Sequence, residues 1–261
     1  MTLITAAAAQ WHDYELLRKR LPENLTLRDE TEAFSTLILS GPAAREILAK
    51  VCTADLARPW LTHQASEIAG KPVTLIRVSF AGELGWEVHA AMDAMPEIHA
   101  ALTEAGAPLG LKPFGMFALD SLRLEKGYRA WKGDLSTDYT LLQAGLERFV
   151  KWDKPDFLGK EALLAEKERG PAKRFATLVV EAGDCDVPYM STLWQGGEVV
   201  GETTSGGWGH RVGKSIALGV LRSDLAAPGS ALEVEIFGER HPAVVQPETA
   251  LWDPRNERLR S

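Results

Sequence analysis

Cysteine is nearly absent. Cys52 and Cys185 stand far apart, with no CxxC spacing, which excludes a disulfide framework and a thiolate metal site and fits a reducing, cytoplasmic setting. The six histidines (His12, His63, His89, His99, His210 and His241) show no HxxxH spacing, so no metal is expected. No run reaches the roughly 18 apolar residues that a membrane span needs. The opening Met1–Gln10 is apolar but has no basic flank and soon meets Trp11-His12-Asp13, so it does not read as a signal peptide. Basic residues are in the minority, 29 against 36 acidic ones, for a net charge of −7. That argues against nucleic acid as the main partner. There is no GxSxG elbow, no Walker pattern and no GxGxxG opening a helix after a strand.

What is present is an ordinary globular composition, 45% hydrophobic and 25% charged over 261 residues. This suffices for one large domain or two modest ones with a buried core. Residues 2–8 read as a short buried strand, 12–20 as a charged helix and Leu37-Ile38-Leu39 as a strand. Pro42 opens a helix over Ala43–Val51. Pro72–Phe80 and residues 85–90 read as the two strands of a hairpin, and residues 94–105 as a helix ending at Gly106. Pro113 opens a helix to Lys126, with Phe117, Leu119 and Leu124 expected to face the core; residues 160–168 form another. Beyond Pro171 strand-like runs dominate: 174–181, 191–194, 198–203, 215–221 and 231–237, separated by glycine turns. The chain is therefore α+β over residues 1–171, followed by an antiparallel β domain over 172–261.

Two segments carry chemistry. In Gly82-Glu-Leu-Gly-Trp-Glu87, strand alternation places Glu83, Gly85 and Glu87 on one side. The plain reading is a hairpin with solvated carboxylates. The functional one is a carboxylate that accepts paired N–H donors from an aminopyrimidine-like edge. In Leu119-Asp-Ser-Leu-Arg-Leu-Glu125, Asp120 and Arg123 share a helix face. They form either an intrahelical pair or a guanidinium aimed at a ligand carboxylate or amide oxygen. Trp131 follows closely and is a candidate pocket wall. The run Gly206–Gly213, with His210, Arg211 and Lys214 beside it, reads as a β-turn region whose basic residues are structural or domain-bridging.

Five stretches in order resemble the glycine-cleavage T-protein (aminomethyltransferase) family: Leu39–Leu48, Val78–Glu87, Asp120–Trp131, Phe157–Leu163 and Thr204–Gly219. The likeness is closest to the folate-binding C-terminal part of dimethylglycine and sarcosine dehydrogenases. It implies the family's folate-binding fold with a last lobe that is a β-barrel, and tetrahydrofolate as the ligand. It assigns Glu87 to the pterin edge and Arg123 to placing the folate, with Phe80 and Trp131 as pocket walls. Phe80 stands where the family usually has tyrosine. The related iron–sulfur assembly proteins carry a Lys-Gly-Cys-Tyr signature, whereas residues 126–128 here read Lys-Gly-Tyr.

The same resemblance implies that the family's N-terminal segment, which carries the acidic residue of one-carbon transfer, would precede Thr2. No catalytic residue is assigned. The implied activity is transfer of a one-carbon unit from a small N-methylated or aminomethyl donor to tetrahydrofolate. The alternative is a non-catalytic folate-binding or assembly subunit of a heteromeric flavin-dependent demethylase. A flavoprotein partner or complementing subunit is expected, and so is self-association through the apolar start.

Overall fold

The computed structural model describes residues 2–261. The chain divides into two compact units. The first runs to Met116 and takes in Arg255–Ser261; the second is Phe117–Pro254.

In the first unit, α1 (Gln10–Arg18) precedes β1 (Phe34–Ser40), α2 (Ala44–Val51), β2 (His63–Ile68), β3 (Lys71–Ile76), β4 (Gly85–Ala91) and α3 (Met95–Gly106). The four strands form one antiparallel sheet in the order β1-β4-β3-β2. Period-two alternation decides its faces. Leu39, Val73, Leu75, Trp86, Val88 and Ala90 pack with Ile47 and Leu48 of α2 and Ile98 and Leu102 of α3. Each of these helices buries one stripe, at i, i+3 and i+4 spacing, which is why it lies on that face. The opposite face of the sheet carries the residues between: Thr36, Ile38, Thr74, Ile76, Glu87 and His89.

Two expectations fail here, and one strand was not foreseen. Residues 2–6 form no strand; a single 3₁₀ turn at Ala7–Ala9 follows them, and Leu3 and Ile4 are exposed. None of the four strands of the sheet pairs with this segment, and unpaired alanine-rich chain has no ladder to hold it extended. The strand expected to reach Phe80 stops at Ile76, where its pairing with β4 ends; residues 77–84 are irregular, and Gly82 turns the chain at φ +72 before β4 begins. Strand β2, with the polar sequence His-Gln-Ala-Ser-Glu-Ile, was not legible at all; it is an edge strand paired only with β3.

In the second unit, α4 (Met116–Glu125) and α5 (Lys160–Arg169) precede a closed antiparallel barrel. Its strands are β5 (Lys173–Val180), β6 (Thr192–Gln195), β7 (Glu198–Gly209), β8 (Lys214–Arg222), β9 (Ala231–Ile236) and β10 (Glu239–Val245). Around the barrel they run β10-β5-β8-β7-β6-β9. Leu178, Val180, Leu193, Ala217, Leu221, Val234 and Ile236 fill its interior. Residues 215–221 of β8 are buried on both faces: one lines the barrel, and from the other Ile216 and Leu218 pack on Leu124 of α4. Helix α4 starts three residues after Pro113, and Phe117 is 96% exposed, not in the core; Leu119 and Leu124 are buried as expected. Strand β7 continues through Gly206, Gly207 and Gly209, so the turn is confined to residues 210–213. At Gly206 a Cβ would overlap the Val187 carbonyl, so glycine here permits a close strand contact instead of a turn. Strand β10 carries charges and Pro242 and shows no strand signal of its own; pairing with β9 defines it.

Candidate functional site

On the outer face of the first unit's sheet, Glu87 is the central carboxylate. It points away from Trp86 and Val88, which are buried on the core side. Its cross-strand partners are Ile38 on β1 and Ile76 on β3, so apolar side chains flank it on both sides. The Glu87 side chain is 28% exposed, and its Oε2 lies 2.9 Å from His89 Nε2. His89 Nδ1 in turn lies 2.9 Å from Thr36 Oγ1. Neither His89 nor Thr36 was singled out from the sequence. The signal was there: period two places residues 87 and 89 on one face. Their contact with Thr36 is set by strand register across 53 residues.

Glu83 does not share that face. It sits in the turn before β4 and borders an open cavity of about 320 Å³ together with Pro42, Leu84, Glu257 and Arg258. Glu87 is not on that cavity's wall. Phe80 lies half-buried in the turn between β3 and β4. Nearby, Arg77 and Arg45 both stack on Trp86, at 5.6 and 5.7 Å from its ring. Their guanidiniums donate to the last carbonyls of the chain, Arg45 to Ser261 O at 2.7 Å and Arg77 to Arg260 O at 3.0 Å.

In the second unit Arg123 is the centre of a buried network. Its Nε donates to Asp120 at 2.7 Å, the helix-face pair expected from the spacing. Its Nη1 donates to Asp134 at 2.7 Å and to the Tyr128 carbonyl at 3.2 Å, and its Nη2 to Ser205 at 2.9 Å. Four of its five N–H donors are thus spent on the protein. Asp134 is fully buried and also accepts from Thr204 at 2.5 Å, from Ser205 at 2.9 Å and from Ala130 N–H at 2.8 Å. A carboxylate with this many donors is held firmly in place. The network ties α4, the loop 126–135 and strand β7 together. Trp131 stands on that loop, 39% exposed.

A second buried pair completes the wall of α4. Glu125, fully buried, accepts from the Arg211 side chain, from Arg211 N–H at 2.5 Å and from Val212 N–H at 3.2 Å. Arg211 also stacks on Trp252 at 4.6 Å. Arg211 therefore has the structural role expected of the 206–213 region. Arg129 stacks on Phe175 at 4.0 Å, and its Nε is buried without a partner. Burial, aided by repulsion from Arg148, pulls its pKa down to about 10.

Tyr139 and Glu202 border a small polar cavity of about 210 Å³, and Tyr139 Oη donates to Glu202 at 2.8 Å. Burial first, and then this carboxylate, raise the Tyr139 pKa above its ordinary value. A phenol whose pKa is raised by folding adds stability below the unfolded value near 10, and this is lost as pH rises further. Tyr139→Phe is therefore expected to flatten the stability curve between pH 9 and 11, by about 1 kcal/mol after allowance for solvent screening. Urea midpoints across that range check it; an unchanged slope in the variant rules it out.

Among the described residues no group of three or more His, Cys, Asp or Glu side chains is placed to hold a metal ion. No helix among them is long and apolar enough to cross a membrane.

The family model described as the GCVT N-terminal domain matches residues 1–154, and the glycine cleavage T-protein C-terminal barrel domain matches residues 173–251. This chain belongs to the glycine cleavage T-protein family. Mouse mitochondrial dimethylglycine dehydrogenase is 36% identical over 98% of this chain and 30% of its own length. An aminomethyltransferase of Thermosynechococcus vestitus is 32% identical over 97% of this chain and 68% of its own. The crystal structure of glycine cleavage system aminomethyltransferase T from Bartonella henselae superposes with a TM-score of 0.81 at 23% identity, covering 92% of this chain and 65% of that one. That likeness establishes the family's fold, α+β with a closed C-terminal barrel. The chain spans about a third of the length of the dimethylglycine dehydrogenases it matches.

Proposed function

We propose that this chain binds tetrahydrofolate and serves as an aminomethyltransferase-like module, taking a one-carbon unit from a small N-methylated or aminomethyl donor. One observation carries the reading: the half-buried Glu87 carboxylate, flanked by Ile38 and Ile76, with one oxygen engaged by His89. A planar, amine-edged ring suits such a place, because its face packs on aliphatic side chains while its paired N–H groups meet a carboxylate. Bound tetrahydrofolate would supply the N5 amine that accepts the carbon. The work of the chain's own residues is to orient that ring and to keep water from the exposed carbon.

In this reading Glu87 accepts from the pterin edge, and Phe80 packs against the ring from the β3–β4 turn. Arg123 and Trp131 belong to the same proposal as residues of the second unit. With its donors engaged by Asp120, Asp134, Ser205 and the Tyr128 carbonyl, Arg123 acts by holding the loop that presents Trp131.

Titration calorimetry with tetrahydrofolate tests the reading. Glu87→Ala is expected to weaken binding at least thirtyfold, the scale of losing a charge-assisted hydrogen bond. Wild-type chain that gives no heat, or a variant that binds as well as wild type, ends it. The second reading, a folate-binding subunit of a larger flavin-dependent demethylase, is favoured by the match to a third of the dimethylglycine dehydrogenases. Binding without one-carbon transfer by the isolated chain, restored by an added flavoprotein partner, would select it.

A further inference from the structure

We propose that His89 is a positioning residue for Glu87, part of a three-residue relay, Thr36–His89–Glu87, that fixes which carboxylate oxygen is offered to the ligand. The inference rests on the reading of Glu87 as the ligand-binding carboxylate.

The relay follows from strand geometry. Residues 87 and 89 are two apart on β4, so their side chains emerge on the same face, and Thr36 is the cross-strand partner of His89. The two links are both 2.9 Å, Glu87 Oε2 to His89 Nε2 and His89 Nδ1 to Thr36 Oγ1. The chemistry of each end assigns the protons. A carboxylate only accepts, so Nε2 carries the hydrogen that reaches Glu87. In a neutral imidazole Nδ1 is then the acceptor, and the Thr36 hydroxyl donates to it. Glu87 thus sets the tautomer, and Thr36, donating to Nδ1, anchors the ring whose Nε2–H meets Glu87.

The consequence is directional. With Oε2 engaged, rotation of the Glu87 carboxylate is restrained, and Oε1 is the oxygen left for a ligand. Restraint before binding lowers the entropy lost on binding. The surroundings leave this task to His89. The neighbours of Glu87 across the sheet are Ile38 and Ile76, which have no polar side-chain atoms, and those of His89 are Thr36 and Thr74. The other titratable groups on this face, His63 and Glu67, stand on β2, beyond β3. Two strand spacings, roughly 10 Å, separate that strand from β4.

Calorimetry with tetrahydrofolate on the full chain tests the inference through a set of variants. His89→Ala is expected to weaken binding about tenfold, and His89→Gln to restore it to within about threefold, since glutamine places an N–H near the Nε2 position. Glu87→Ala with His89→Ala should bind no more weakly than Glu87→Ala alone, because His89 acts only through Glu87. Thr36→Val removes the hydroxyl that donates to Nδ1 without touching Glu87; with the ring's second anchor gone, binding should weaken about threefold while the melting temperature stays put. If His89→Ala binds as wild type while Glu87→Ala does not, the relay is wrong and the folate reading stands. If Glu87→Ala itself binds as wild type, the reading beneath it has failed. Equal losses in His89→Ala and His89→Gln would overturn the hydrogen-bond argument, and binding by Thr36→Val equal to wild type would overturn the role of the threonine.

Discussion

Asp134→Ala is expected to lower the unfolding free energy by about 3–5 kcal/mol, the scale of removing one partner from a buried ion pair. The Asp134 side chain is fully buried, and it receives Arg123, Thr204, Ser205 and the Ala130 N–H. Truncation strands a guanidinium that is itself only 5% exposed. Asp120 remains as a partner, but its own side chain is 55% exposed and it meets only Nε. The hydroxyls of Thr204 and Ser205, both buried, lose their acceptor as well. Asp134→Asn should cost less than alanine. Its remaining oxygen still accepts where Asp134 Oδ2 did, and the Thr204 hydroxyl, a donor now, turns to accept from the new amide. Urea unfolding monitored by tryptophan fluorescence measures both. A loss under 1 kcal/mol for alanine would mean that the network contributes little. It would also free Arg123 for the more direct ligand contact that the family resemblance assigns to it.

Gly127→Ala is expected to cost about 3 kcal/mol through two separate effects. Gly127 has φ +64 and closes α4: its N–H bonds the Leu124 carbonyl at 2.9 Å while the Tyr128 N–H bonds the Arg123 carbonyl at 2.9 Å. This paired pattern is a Schellman cap, in which the left-handed residue is normally glycine. An alanine there is strained by roughly 1–2 kcal/mol. An added Cβ would also overlap the Thr249 carbonyl. That carbonyl accepts from Thr177 on β5 at 2.8 Å, so it is not free to retreat. Overpacking of this kind adds about 1–3 kcal/mol. Gly229→Ala separates the two effects, because Gly229 has φ +85 but open space around its Cβ position. It should cost only the conformational part, about 1 kcal/mol. Equal losses in the two variants would show that the approach to Thr249 does not matter.

The architecture was largely legible because the strongest elements follow short-range rules. Strand β9 alternates Leu232, Val234 and Ile236 inward, and β4 alternates Trp86, Val88 and Ala90. Helix α2 buries Ala44, Ile47 and Leu48 on one stripe. These patterns arise within a few residues and need no partner to be read. The elements that escaped notice owe their form to a neighbour. Strand β2 is polar and extended because β3 pairs with it, and β10 crosses a proline because β9 and β5 hold it on both sides. The residues 2–8 failed in the opposite sense, since an apolar composition alone does not make a strand where no partner is supplied.

The candidate residues divide along the same line. That Asp120 and Arg123 would pair was determined by helical spacing, and that Glu87 would leave the core face was determined by strand alternation. Five ordered stretches were also enough to place the chain in its family. What only the tertiary structure decided is the occupation of each group. Arg123 meets Asp134, 11 residues on, and Ser205, 82 residues on, and these contacts turn it inward. Glu87 meets His89, which meets Thr36 across a strand register. The reason is physical. Local spacing settles the direction in which a side chain leaves the backbone. The partner it finds is settled by chain closure over tens of residues, where the cost of leaving a buried charge unpaired selects among alternatives that look equal in one dimension.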